Sequence, residues 1–327
     1  MKKYGNGKKY DRYVRPESGV AVGLGNFDGV HLGHRALAEK LVEEARALSI
    51  PSIIYTFEKH PQKVIGGAKS TRLIMTNDKK ASIFGSLGVS GIYFEDFSRE
   101  YSAMSPEEFA SNIIKNKLGA ALVVAGENYS FGAGGLGKEG DLRAFGERFG
   151  FRVVIIPDVK VNGTVVSSTF LRKLIKEGLL EDYPQYAGAA YTIPGTVTHG
   201  REVGRSLGFP TANILPKRGF VIPPDGVYVT CAEIGDRVFA GVTNIGKNPT
   251  FDVKYRSIET FFLDLEHDLY GSEIELVFIK RLRGEIRFPS KEALEEQIGR
   301  DVEEARRLFR EDPPGTLSDR CGKTSDE

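Results

Sequence analysis

The feature that most limits what this chain can fold into is a change of hydrophobic rhythm near residues 186–190. Before it, short apolar runs at 20–25, 52–57, 91–94, 120–125 and 152–156 alternate with amphipathic stretches at 33–48, 77–87, 106–117 and 141–149. Strands apolar on both faces, with helices between them, predict a parallel sheet covered on both sides. A helix at 168–176 and a shorter one at 179–186 follow. From 191 to 280 the pattern is one of strands, at 192–197, 226–233, 238–244, 257–263 and 273–281, with Gly and Pro between them. That predicts an antiparallel barrel or sandwich. A last amphipathic stretch at 290–310 reads as a closing helix. Ser290 suits its N-cap, and Ala293, Leu294, Ile298, Val302, Ala305 and Leu308 form its apolar face.

The expected fold class is therefore α/β followed by β. A Rossmann-like doubly wound domain at 18–187 precedes an antiparallel β-barrel domain at 188–310 with a C-terminal helix. The 327 residues fit two domains at about 150 residues each. Residues 1–17, with Lys2, Lys3, Lys8, Lys9, Arg12 and Arg15 against Asp11, read as a flexible basic arm, and 311–327 as a disordered tail. The net charge is +1, from 45 basic and 44 acidic residues, so no broad field for nucleic acid is expected. No apolar run approaches the roughly 18 residues of a membrane span, and the N-terminus lacks the apolar core of a signal peptide. Two distant cysteines, Cys231 and Cys321, fit a reducing, cytoplasmic setting, and no Cys/His metal cluster is visible. Weak homo-oligomerisation is compatible with the sequence.

Chemistry concentrates first in Gly23-Leu-Gly-Asn-Phe-Asp-Gly-Val-His-Leu-Gly-His34. Here an apolar strand turns into a helix whose apolar face carries Leu37, Leu41, Ala45 and Leu48. Helix N-termini offer unpaired N–H groups to anions, and glycine lets a phosphate approach the backbone. His31 and His34 add donors without permanent charge. A nucleoside triphosphate is the ligand this implies. Ordinary loop histidines are the plain alternative, but the chain has only five His and two of them flank one glycine. The segment resembles the HxGH nucleotidyltransferases, and its longer form is similar to the FMN adenylyltransferase branch. The resemblance implies a triphosphate site using Gly25, Phe27, Asp28 and Gly33, with His31 and His34 as catalytic donors.

Val166-Ser-Ser-Thr-Phe-Leu-Arg172 is the second constellation. Ser167, Ser168, Thr169 and, one turn later, Arg172 suit phosphate oxygens, although alone they would read as a helix cap with a surface arginine. A very similar segment lies near the triphosphate in the family. Two strand-end loops, Thr56-Phe-Glu-Lys-His-Pro61 and Gly126-Glu-Asn-Tyr-Ser-Phe-Gly132, also resemble it and imply flavin contacts from His60, Asn128 and Phe131. Gly132-Ala-Gly-Gly-Leu-Gly137 matches G-x-G-x-x-G but follows the fourth strand after a gap, so it reads as a mobile loop over the pocket, with NAD binding a minor alternative.

In the second half, the run from Gly195 to Ile214 carries Gly200, Arg201, Gly204, Arg205, Gly208 and Pro210, a flexible cationic loop suited to phosphates. Thr211 and Asn213 then present neutral oxygens on alternate positions, which suits Mg²⁺ in company with ATP. With Asp225-Gly-Val-Tyr228, the segment from Asn244 to Phe251, and Ile258-Glu-Thr-Phe261, the run resembles the riboflavin kinase signature. The resemblance implies that Thr211 and Asn213 hold Mg²⁺ and that Glu259 is the general base; Phe261 stands where many members have His. Two signatures in this order are similar to the bifunctional riboflavin kinase/FMN adenylyltransferase family. The implied substrates and products are riboflavin, ATP, FMN and FAD, with no nucleic acid and no membrane. Two alternatives stay open: a riboflavin kinase whose first half acts on another phosphorylated substrate, and a flavin-binding module without activity.

Overall fold

The structure is a computed structural model that describes residues 1–5, 8–62, 71–199, 208–247 and 256–311. Gly200, Arg201, Gly204, Arg205, Cys321 and nearly all of the expected tail lie outside the described residues. The chain divides into two compact units, Met1–Ser168 and Thr169–Glu327. This division precedes the expected boundary at 187/188, because the helix and turn after residue 168 pack with the second unit: Tyr183 meets Tyr191 edge-on at 5.5 Å.

The first unit is built on a parallel sheet of β1 (Lys2–Gly5), β2 (Val20–Leu24), β3 (Ser52–Phe57), β4 (Gly91–Glu95), β5 (Ala120–Gly126) and β6 (Arg152–Ile156). The strand order is β1-β4-β3-β2-β5-β6. The chain runs outward one way from β2 and then restarts at β5 on its other side. Ligands of such sheets bind beyond the C-terminal strand ends where the order reverses, here between β2 and β5. One face is covered by α1 (Leu32–Ala47) and α2 (Asn77–Ser86), the other by α3 (Phe109–Leu118, a π-helical stretch) and α4 (Glu139–Phe149). Gly23 lets α1 lie close to β2: a Cβ there would come within 3.1 Å of both Leu37 and Leu41. Leu41 is fully buried, so Leu41→Ala should cost about 2–5 kcal/mol.

The basic arm departs from the expected flexible tail. Lys2–Gly5 pairs in parallel with β4 and closes the sheet edge. The two lysines of this short strand mask it in the sequence, and its tyrosine anchors it: Tyr4 stacks edge-on against Tyr13 at 5.2 Å, and Tyr13 against Tyr93 at 5.8 Å.

The second unit opens with α5 (Ser168–Glu177) and α6 (Tyr183–Ala187). It continues as a closed antiparallel barrel of β9 (Tyr191–Thr198), β10 (Ala212–Pro216), β11 (Gly226–Ile234), β12 (Arg237–Lys247), β13 (Arg256–Phe262) and β14 (Glu273–Arg283). A small hairpin in the first unit, β7 (Lys160–Val161) and β8 (Thr164–Val165), completes the strands. Closure leaves no open sheet edge. Thr230, Thr243 and Thr260 are fully buried, and their hydroxyls join across three strands at 2.7 Å each, so the polar groups remain satisfied. The last helix, α7 (Lys291–Glu311), lays Val302 and Ala305 against Val227, Val229 and Val242. Its Asp301 accepts from Arg283 at 2.8 Å and from Gln297 at 3.0 Å, a buried ion pair with further hydrogen bonds. Among the described residues no helix is long and apolar enough to cross a membrane.

Candidate active sites in the two units

The turn from β2 to α1 is held from below. The carbonyl of Asn26 accepts from Thr56 Oγ1 at 3.0 Å and from Lys80 Nζ at 2.9 Å. Phe27 and Val30 adopt positive φ of 51° and 31°, a conformation unfavourable for side chains with a Cβ that persists only where the surroundings impose it. The Phe27 ring folds beneath Gly25, where a Cβ would come within 2.9 Å of it, and packs edge-on at 5.1 Å against both Phe84 and His34.

This turn delivers His31 to the N-cap of α1. A helix start normally carries a Ser, Thr, Asp or Asn cap. Here His31 makes no side-chain cap, and the first turn holds no acidic residue. The N–H groups there suit an incoming anion. The two imidazoles stack at 3.6 Å with 20° between planes. Gly33 makes room for this, since a Cβ would lie 3.2 Å from the His31 ring. Burial pulls the His31 pKa down to about 4. Burial, then His31 and Lys80, hold His34 well below the ordinary histidine range. Both rings are thus neutral near pH 7 and each keeps one N–H donor. Their Nδ1 atoms are buried without a hydrogen-bond partner among the described residues. Buried polar atoms are usually paired, so this pair fits a site completed by a ligand.

Other expected residues divide. Ser168 Oγ donates to the Asp28 carbonyl at 2.6 Å, which ties the second constellation to the turn. Ser167 sits beside it at the end of the first unit, whereas Thr169 and Arg172 belong to the second unit, on α5. Three of the expected residues lie buried in the first unit. The Asp28 carboxylate accepts from the backbone N–H groups of Ile74 at 3.0 Å and Met75 at 3.4 Å, so it anchors a neighbouring loop from within the core. Phe27 is a core residue. So is Phe131, which is 5% exposed and packs between Tyr129 and Phe109, because its strand-end loop folds back over α3. Asn128 remains on the exposed rim and donates to Asp158 at 2.7 Å. His60 is half-buried and its Nδ1 accepts from Gln62 N–H at 3.3 Å. The 132–137 glycine loop is closed at its base by the Phe131 and Gly137 backbones, at 2.9 and 3.1 Å, and tied to Met104 at 2.7 Å. Five residues, 127–131, separate it from the end of β5, and it follows the fifth strand rather than β2, so it does not form the tight first strand-to-helix turn of a dinucleotide fingerprint.

In the second unit the site lies on one rung of the barrel. Asn213 on β10 pairs directly with Glu259 on β13, and Glu259 with Asn244 on β12. Residues directly opposite in an antiparallel pair share a face, so the carboxylate stands between two amides. A cavity of about 700 Å³ is lined by Thr211, Val227, Asn244, Glu259, Phe261 and Arg283, with α7 on its far side. A second, of about 450 Å³, is lined by Pro210, Thr211, Asn213, Thr198, His199 and Tyr270. Thr211 lines both. Phe261 forms an apolar wall with Phe209, edge-on at 5.4 Å. Gly208 adopts φ 79°, the left-handed region that glycine favours.

Two residues were not singled out from sequence. Asn244 required the strand register. Lys80 had a readable signal, a charge on the apolar face of α2 beside Ala81, Ile83 and Phe84.

Two family models match the chain, one described as FAD synthetase over residues 14–170 and one as riboflavin kinase over residues 187–309. Relatives named bifunctional riboflavin kinase/FMN adenylyltransferase occur in Escherichia coli strain K12, 35% identical over 298 residues, covering 90% of this chain and 94% of the relative. Another, from Listeria monocytogenes, is 36% identical over 288 residues, covering 88% and 91%. A crystal structure from Streptococcus pneumoniae, described as a macrolide-efflux protein, matches with a TM-score of 0.85 at 30% identity over 94% of this chain and 99% of that one.

Proposed function

The chain belongs to the bifunctional riboflavin kinase/FMN adenylyltransferase family, and from that premise we propose that its two units make FAD in two steps, each with its own ATP. The observation that carries this reading is the pair of unlike donor sets: two buried neutral imidazoles at an uncapped helix start in one unit, and a carboxylate flanked by amides in the other.

In the second unit the ribityl 5′-hydroxyl of riboflavin attacks the γ-phosphorus of ATP. Glu259 accepts the hydroxyl proton, the bond to ADP breaks, and FMN forms. The larger cavity suits the flavin, since Val227 and Phe261 give apolar walls beside Glu259. The smaller suits the nucleotide, with Thr211 at the junction. The Thr211 hydroxyl and Asn213 amide are neutral oxygen donors. Among the described residues no group of three His, Cys, Asp or Glu could hold an ion by itself. Such a donor set fits Mg²⁺ that arrives already bound to phosphates. The ion would neutralise phosphate charge there. Thr211, Asn213 and Pro210 are assigned to this end. Gly200, Arg201, Gly204, Gly208 and Arg205 are assigned to the phosphates through the sequence resemblance.

In the first unit an FMN phosphate oxygen attacks the α-phosphorus of ATP and pyrophosphate leaves. The nucleophile is already anionic, so no general base is required. His31, His34 and the N–H groups of α1 donate to the charge that gathers on the α-phosphate and leaving group. Ser167 is proposed to contribute to the same triphosphate, with Asn128 and His60 toward the flavin; Thr169 and Arg172 are assigned to triphosphate binding through the sequence resemblance alone. A cytoplasmic location is part of the proposal and accords with a sequence whose two cysteines, Cys231 and Cys321, are far apart.

The test is incubation of the protein with riboflavin and MgATP followed by separation of flavins. Successive FMN and FAD is the expected result. FMN alone would leave the first unit with another substrate, and neither product would overturn the proposal.

A further inference from the structure

The N-terminal arm makes specific contacts that the family relationship does not assign, since the FAD synthetase model begins at residue 14. After β1 the chain returns so that Tyr10 stacks on Phe94 of β4 at 5.2 Å and 24°. Gly5 permits this, because a Cβ there would lie 2.5 Å from the Tyr10 ring. The Tyr10 hydroxyl donates to Glu58, and Lys9 Nζ pairs with the same carboxylate at 2.5 Å. Lys9 is mostly exposed, so its pair alone is worth little; the tyrosine contact is the part-buried one.

Glu58 is the first residue after β3. Its N–H donates to Glu95 at 2.8 Å, and its carbonyl accepts from Asn77 at 3.0 Å, so its backbone is fixed as well. Inward of it stands Lys80, which is 5% exposed and donates to the Asn26 carbonyl at the start of the two-histidine turn. Burial pulls the Lys80 pKa down to about 8, while the charges of Asp28 and Glu58 oppose that fall. The groups that face Lys80 are thus Asp28 on the turn, Glu58 beyond β3 and His34 on α1, whose own pKa Lys80 lowers.

We propose that the N-terminal arm is a positioning element of the adenylyl-transfer site: Lys9 and Tyr10 clasp Glu58, and Glu58 with Lys80 braces the turn that carries His31 and His34. This rests on the reading of that turn as the site of adenylyl transfer. The brace sets where the imidazoles stand, and it keeps Lys80 cationic behind them. None of Lys9, Tyr10, Glu58 or Lys80 touches the reacting atoms.

The experiment uses the full chain and compares wild type with Tyr10→Phe and Glu58→Gln. FAD formation from FMN and MgATP is followed from pH 6 to 10, with FMN formation from riboflavin as the reference on each preparation. Tyr10→Phe keeps the ring on Phe94 and loses only the hydroxyl; kcat/KM for FAD formation should fall about three- to tenfold. Glu58→Gln should lower it about tenfold and move the alkaline limb to lower pH by about half a unit or more, because Lys80 then loses its proton sooner. FMN formation should be unchanged in both. FAD formation within twofold of wild type at every pH would overturn the proposal. So would a rate loss that follows a fall in Tm with the alkaline limb unmoved, since the arm would then be structural only. Wild type that makes no FAD would instead defeat the reading of the turn. The brace would then be judged by imidazole NMR: His34 resonances displaced by Glu58→Gln support it, and unmoved resonances overturn it.

Discussion

The two units handle the same kind of phosphate chain with opposite chemical means. In the first, the fold removes charge: two imidazoles are buried, stacked and held neutral, and in the proposed reaction donation comes from ring and backbone N–H groups. In the second, the fold keeps a half-buried carboxylate on an outer rung, between Asn213 and Asn244. The contrast follows from the nucleophiles in the proposed reactions. A phosphate monoester needs its surroundings to tolerate more negative charge, whereas an alcohol needs a group that takes its proton. The architectures match the tasks. A parallel sheet brings a helix N-terminus to the strand ends, while a closed barrel sets side chains from three neighbouring strands side by side.

The sharpest break of this comparison comes from removing one chemistry at a time. Glu259→Gln should lower FMN formation about 10³-fold and leave FAD formation from supplied FMN unchanged, by chromatographic assay of each step. His31→Ala combined with His34→Ala should do the reverse, lowering FAD formation about 10²- to 10³-fold with FMN formation intact. Loss of both activities in either folded variant would dissolve the division between units. A smaller effect concerns stability. Asp301→Ala strands Arg283 between α7 and the barrel and should destabilise the second unit by about 3 kcal/mol, read from its urea midpoint, with the first unit unaffected.

Acid should distinguish the units as well. The His31 pKa falls from 6.5 to about 4 on folding, so the unfolded chain takes up a proton first as pH drops. Stability of the first unit that is fully present above pH 6.5 is lost as pH falls toward 4, by about 3 kcal/mol for this residue. Urea midpoints of wild type and His31→Gln should converge over that range; parallel curves would refute the neutral-imidazole account. The smallest expected effect is Gly33→Ala. Its methyl would press on the His31 ring from 3.2 Å, and a several-fold loss of FAD formation should result with FMN formation unchanged.

Much of this was legible in the sequence, for identifiable reasons. The apolar runs at 52–57 and 152–156 marked strands at their observed limits, Ser52–Phe57 and Arg152–Ile156, because each is a short β-rich run ended by a turn. His31 and His34 stood out because glycine separates them at a strand-to-helix turn. Direction was not legible. Asp28 and Phe131 carry site-like side chains at site-like positions, yet both point into the core, and only the tertiary fold decides that. β1 was hidden because its lysines outweigh its Tyr4 in composition. β10 was missed because Ala212–Pro216 is short and ends in proline, and without it the rung of Asn213, Glu259 and Asn244 could not be seen.

The most direct test follows labelled phosphorus through both steps. With riboflavin as the starting flavin, label at the γ-phosphorus of ATP should appear in FMN and persist in FAD. Label at the α-phosphorus should appear in FAD and never in FMN. Entry of α-label into FMN, or flavin products that carry neither label, would contradict the account of two units that cut ATP at different bonds.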